Sequence, residues 1–103
     1  MKLNSFSPLL DDEDELHLPE LVYWASLGDV VQVEQLLLQG IDPNQTDDGG
    51  YSALQAAAEN DYLTVVQLLI EKGADLHYKA EYTALELAKM AGNSEIVAYL
   101  EKL

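Results

Sequence analysis

The chain contains no cysteine and no arginine among its 103 residues, one phenylalanine and one tryptophan. Without cysteine there is no disulfide framework, no thiolate nucleophile and no thiolate metal site, which suits a reducing compartment such as the cytoplasm. No run approaches the roughly 18 apolar residues that a membrane-crossing helix needs. The opening stretch MKLNSFSPLLDDEDEL has one lysine followed by acidic residues. It lacks the basic start, apolar middle and small-residue cleavage site of a secretory signal. A cytoplasmic location is therefore expected. Positive charge is scarce too: 5 lysines stand against 19 Asp plus Glu, a formal net charge of −14. Such a field repels nucleic acid and anionic lipid and attracts basic surfaces. Solubility alone is the simpler reading of the same charge.

Catalytic and metal-binding constellations are also missing. His17 and His77 are the only histidines, and neither has a partner at metal-ligand spacing. Gly49-Gly50 reads as a turn rather than a phosphate-cradling loop. The acidic run Asp11-Asp12-Glu13-Asp14-Glu15 lacks the alternation, central glycine and distal glutamate of a calcium loop. It reads as a solvated arm or as an electrostatic lure for a basic partner. No catalytic residue, metal, cofactor or small-molecule substrate is assigned.

What the chain does have is a repeat. GDVVQVEQLLLQGIDPN, from Gly28, and DYLTVVQLLIEKGADLH, from Asp61, align without a gap at an offset of 33 residues. Both set apolar residues on one helical face: Val30, Val33 and Leu37, then Leu63, Val66 and Ile70. Both stop at a glycine, Gly40 or Gly73, suited to the left-handed conformation that ends a helix. A second pair of segments, SALQAAAEN from Ser52 and TALELAKMA from Thr83, opens with capping boxes, Ser52 with Gln55 and Thr83 with Glu86. Their alanines allow close approach of a neighbouring helix. A last helix places Ile96, Leu100 and Leu103 on one face. Pro19 suits a first helical position. The unit is a short helix, a tight turn, a second helix and an extended loop, in copies of about 19–50, 51–81 and 82–103. A single pair cannot bury its apolar face, so stacking supplies the core.

On these residues the sequence resembles the ankyrin-repeat family. Ser52-Ala53-Leu54-Gln55 and Thr83-Ala84-Leu85-Glu86 stand at the family's T-P-L-H-x-A opening, with alanine in place of proline. Asp42 with Asn44, and Asp75, match its loop after the second helix; His77 stands where Asn44 would repeat. The resemblance covers residues 19–103 and implies an all-α solenoid: three stacked helix-turn-helix units with extended finger loops. Residues 1–18 are expected to be an acidic segment, flexible or partly packed as a cap. The loop between copies two and three is shorter by two residues, so a second finger of different shape is expected.

Two residues read as marks of array ends. Trp24 aligns with Ala57 and Ala88, and is expected to pack on Phe6, Leu9, Leu10 or Leu16; the other reading makes it an exposed anchor. Lys89 aligns with Ala25 and Ala58, and a lysine there suits a final copy.

The resemblance also implies function: non-covalent binding of a protein through finger tips and the inner-helix face. It points to Thr46, Asp48, Glu59 and Asn60 in copy two, to Met90 and Ala91 in copy three, and to Ser26 and Leu27 in copy one. Tyr51 and Tyr82 precede the two capping residues, where the family presents variable side chains to partners. Tyrosine combines contact area with a hydrogen bond; alternatively each ring only covers its loop. With the charge, the expectation is a non-enzymatic binder of a basic protein surface, for example an inhibitor or an immunity protein against a toxin. A scaffold or adaptor with a partner that is not basic is the alternative.

Overall fold

The computed structural model describes residues 19–103. They form six α-helices: α1 (Glu20–Leu27), α2 (Val30–Leu38), α3 (Ala53–Glu59), α4 (Leu63–Glu71), α5 (Ala84–Ala91) and α6 (Ser94–Lys102). Each copy is a pair, and the pairs stack in two layers. The inner layer is α1, α3 and α5; the outer layer is α2, α4 and α6.

The inner layer is tight because its side chains are small. Ala56, Ala57 and Ala58 are wholly buried, with α1 on one side of α3 and α5 on the other. Ala25, Ala84 and Ala88 extend the same seam. The outer helices supply the larger apolar groups. Val33, Val65, Val66, Leu69 and Ile96 are fully buried, and Leu36 and Leu100 nearly so. Burial of one such side chain contributes roughly 1.5–3 kcal/mol. The buried stripe differs from the expected one. Leu36 and Leu69 lie in the core, while Leu37 and Ile70 are only partly covered. Each outer helix meets its own inner helix and a neighbouring outer helix, which centres its covered face one residue away from the expected line. Leu103 is 59 % exposed and does not extend the stripe of α6.

Local signals stop and start the helices as their residue types require. Both capping boxes form: Ser52 Oγ accepts from Gln55 N–H at 3.2 Å and Gln55 Oε1 from Ser52 N–H at 2.8 Å. Thr83 and Glu86 repeat this at 3.1 and 2.9 Å. Gly40 and Gly73 take φ of 98° and 101°. Past them, Ile41 N–H reaches Leu36 C=O and Ala74 N–H reaches Leu69 C=O, closing Schellman turns. Pro19 sits one residue before its expected place, as the N-cap of α1.

The turn inside each pair needs a left-handed residue as well. Gly28 and Gly92 provide it, each with φ of 77°. Copy two has Asp61 there at φ 70°, a conformation that costs a β-carbon-bearing residue about 1–2 kcal/mol. The next residue in copies two and three reaches back to the copy before. Tyr62 lays its ring against Gly28, and Asn93 Nδ2 donates to the Ala58 and Glu59 carbonyls at 2.8 and 3.1 Å. Asp29, in the first copy, caps its own helix instead, accepting from Gln32 N–H at 3.1 Å.

Two end-position expectations meet the structure differently. Ala25 and Ala58 are fully buried whereas the equivalent Lys89 is exposed, paired with Glu101 at 3.4 Å. A pair so exposed contributes roughly 0–1 kcal/mol. Trp24 is partly buried, with Tyr23 edge-on at a centroid distance of 5.0 Å. The partners expected for it, Phe6, Leu9, Leu10 and Leu16, lie outside the described residues, as does the acidic run.

These turns make a paired prediction for urea unfolding. A β-carbon at Gly28 would stand 2.5 Å from two ring carbons of Tyr62. Gly28→Ala should therefore cost about 1–3 kcal/mol. Asp61→Gly relieves its backbone and should stabilise by roughly 0.5–1 kcal/mol. Equal effects of the two changes would contradict this account of the turn.

Candidate functional site

The first finger joins α2 to α3, and Asp47 shapes it. Thr46 and Ser52 form an isolated antiparallel bridge. Inside it, Asp47 Oδ1 accepts from the N–H groups of Gly49 and Tyr51, both at 2.9 Å. Asp47 N–H donates to Tyr51 C=O at 3.0 Å, and Gly50 N–H to Asp47 C=O at 3.0 Å. This Asx turn carries Asp48 and Gly49 at an exposed tip. Gly50 turns the chain at φ 84°, and its carbonyl accepts from Tyr78 Oη at 2.5 Å. The second finger, two residues shorter, forms no bridge of this kind.

Tyr51 and Tyr82 leave the two fingers just before the inner helices, and both are held from behind. The Tyr51 backbone is clasped by Asp47 on both sides, and its phenol donates to Glu59 Oε1 at the far end of α3. Tyr82 is fixed through its carbonyl, which accepts from Gln55 Nε2 at 2.7 Å. Gln55 is almost fully buried, yet each end of its amide has a partner. No buried side-chain nitrogen or oxygen lacks one among the described residues.

Between these tyrosines runs a groove of about 340 Å³. Tyr51, Glu59 and Gln55 line it from copy two; Ala80, Glu81, Tyr82, Leu87 and Met90 line it from the second finger and α5. Tyr82 is 38 % and Met90 63 % exposed. Both ionised side chains in its wall are glutamates. Lys89 and Glu101 make the single ion pair among the described residues, so no described lysine neutralises either groove carboxylate.

Four of the seven expected contact residues thus share one groove: Tyr51, Glu59, Tyr82 and Met90. The other three lie elsewhere. Thr46 is half-buried in the finger bridge. Asp48 is at the finger tip. Asn60 caps α3, its Nδ2 donating to Ala56 C=O at 2.9 Å. Of the residues named for the other copies, Ser26 spends its hydroxyl on Tyr23 C=O at 2.7 Å, while Leu27 and Ala91 are exposed. Sequence reasoning missed Asp47 and read Gln55 only as half of a capping box; these two residues aim the two tyrosines. The run Asp47-Asp48-Gly49-Gly50 signals an Asx turn, but does not say which aspartate closes it. No three potential ligand side chains cluster around a metal-sized site among the described residues. No described helix is long and apolar enough to cross a membrane.

Burial raises the Tyr51 phenol well above its ordinary value of 10.0, and the hydrogen bond to Glu59 and the charges of Glu59 and Asp47 add to the rise. The folded chain therefore keeps this proton to higher pH than the unfolded chain does. The resulting stability is complete below pH 10 and is lost as pH climbs beyond it. Ultraviolet titration should show one tyrosine ionising after the others. Tyr51→Phe should abolish that late step, make stability above pH 10 less steeply pH-dependent, and cost about 1 kcal/mol at neutral pH. An unchanged titration curve would place the raised group elsewhere.

A family model for ankyrin repeats in three copies matches residues 21–102. The ankyrin repeat and KH domain-containing protein mask-1 of Caenorhabditis elegans is 41% identical over 83 residues, which are 78% of this chain and 3% of that protein. Mouse ankyrin repeat and SAM domain-containing protein 6 is 34% identical over 94 residues, 85% of this chain and 10% of that protein. Fission-yeast glycerophosphocholine phosphodiesterase gde1 is 34% identical over 87 residues, 81% of this chain and 8% of that protein. The chain spans a small part of each of these relatives. Ankyrin repeats are a non-catalytic, protein-interacting fold, and on the match across all three copies this chain belongs to the ankyrin-repeat family.

Proposed function

We propose that the chain is a non-enzymatic binding module that captures a protein with a basic surface through the groove between its fingers. One observation carries this reading. Two tyrosines, a methionine and two glutamates that pair with no described lysine, drawn from two copies, line a single pre-arranged concave surface. Tyrosine and methionine are interface-forming side chains, and ordering them in advance lowers the entropic cost of binding. The net charge of −14 acts at longer range. It draws in basic partners and turns away nucleic acid and anionic membranes. Such a module would inhibit or neutralise its partner by covering it, as an immunity protein does, in a reducing compartment that suits the lack of cysteine.

Affinity capture from a lysate, followed by binding measurements on the recovered partner, tests this. Basic proteins should dominate the capture, and association should slow by at least about tenfold between 50 and 300 mM salt. Tyr82→Ala with Met90→Ala should weaken binding roughly tenfold or more while costing no more than about 1 kcal/mol of stability, because Met90 is largely and Tyr82 partly solvent-exposed. Partners without basic bias and a salt-independent rate would refute the charge-based reading.

A further inference from the structure

The proposed function names a basic surface; the groove narrows this to one kind of side chain. Its volume, about 340 Å³, lies at the low end of the roughly 300–1,000 Å³ typical of ligand pockets. That space fits one long side chain rather than a helix. Its wall is divided by chemistry. Leu87 and Met90 offer apolar surface on α5, Tyr82 an aromatic ring, and Glu59 and Glu81 carboxylates from the end of α3 and from the second finger. An apolar floor with an aromatic ring and anionic groups suits a hydrocarbon stem ending in a cation.

We propose that the groove receives an arginine side chain presented by an extended basic segment of the partner. The inference rests on the binding reading above and specifies its central contact. A guanidinium is planar, weakly hydrated and able both to stack on an aromatic ring and to fork onto a carboxylate; an ammonium is a compact, strongly hydrated point charge. Glu59 is prepared for the first of these partners. The Tyr51 phenol donates to its Oε1 and holds the carboxylate at the groove, and a carboxylate retains further acceptor sites after one such bond. The chain itself has no arginine to fill the space. Lys79, next to Ala80 in the second finger, is exposed and does not line the groove. Exclusion of acidic and nucleotide ligands follows from the same two glutamates.

The test titrates the full ¹⁵N-labelled chain at low salt with three capped tripeptides, glycine flanking arginine, lysine or the neutral isostere citrulline. The arginine peptide should move the amide signals of Tyr51, Glu59, Tyr82 and Met90 saturably. It should bind about two- to fivefold tighter than the lysine peptide, with no response to citrulline. Glu81→Gln, at an exposed position, should weaken the arginine peptide by a similar factor without lowering the melting temperature, and Tyr82→Ala should weaken it likewise while the chain stays folded. Equal binding of lysine and arginine would overturn the guanidinium assignment. Shifts spread over distant acidic residues such as Asp42 and Asp75 would overturn the groove as the site, yet leave a basic partner standing. No response to either cation, together with salt-independent capture, would remove the proposed function as well.

Discussion

Helix α3 is pressed between α1 and α5, and six successive residues, Ala53 to Ala58, lose nearly all contact with water. No surface helix can do this, since an isolated amphipathic helix has one wet face. Four of the six are alanine, so the helix axes come close. That closeness aligns the fingers. Tyr51 and Tyr82, which precede α3 and α5, stand on the same side of the stack only because those two helices pack side by side. A larger side chain at Ala57 or Ala58 would spread the inner layer and open the groove with it.

Apolar packing alone would let stacked pairs slide, and directional polar contacts between copies counter this. Asn44 bridges the loops of copies one and two, donating to Gly73 C=O at 3.3 Å and accepting from Asp75 N–H at 2.7 Å. Gln55 ties α3 to the second finger, and Asn93 covers the free carbonyls at the end of α3. Each contact satisfies backbone groups that a helix end or an extended loop leaves open. Each also works at one register only. Rigidity of the groove therefore comes from the same bonds that hold the array in order.

Tyr51 divides between the finger turn and the groove wall. Its backbone belongs to the finger turn and its hydroxyl to Glu59, leaving the ring between them as groove wall. Tyr82 is anchored only through its carbonyl and shows more of its side chain. Tyr51 is therefore integral to the finger, whereas the ring of Tyr82 is the less constrained of the two.

Much of this was legible along the chain, because the responsible forces act within a few residues. A capping box spans three residues, a left-handed glycine acts on its own turn, and the period of 33 residues repeats both. Hence the repeat unit, the two capping boxes, the glycine stops and the family were readable directly. The same pattern brought Tyr51, Glu59, Tyr82 and Met90 forward as candidates. It could not separate them from Thr46, Asp48 and Asn60. Nor did it place Leu36 and Leu69 ahead of Leu37 and Ile70, since the buried face depends on where the neighbouring helix lies. The contacts that decide these matters join residues far apart in sequence, such as Gln55 with Tyr82 or Tyr62 with Gly28. By itself the sequence determined the helices, their ends and their repetition, through local hydrogen bonding and periodicity. Only the tertiary structure decided which side chains meet across copies, because that is set by the distance and register at which alanine-lined helices close upon one another.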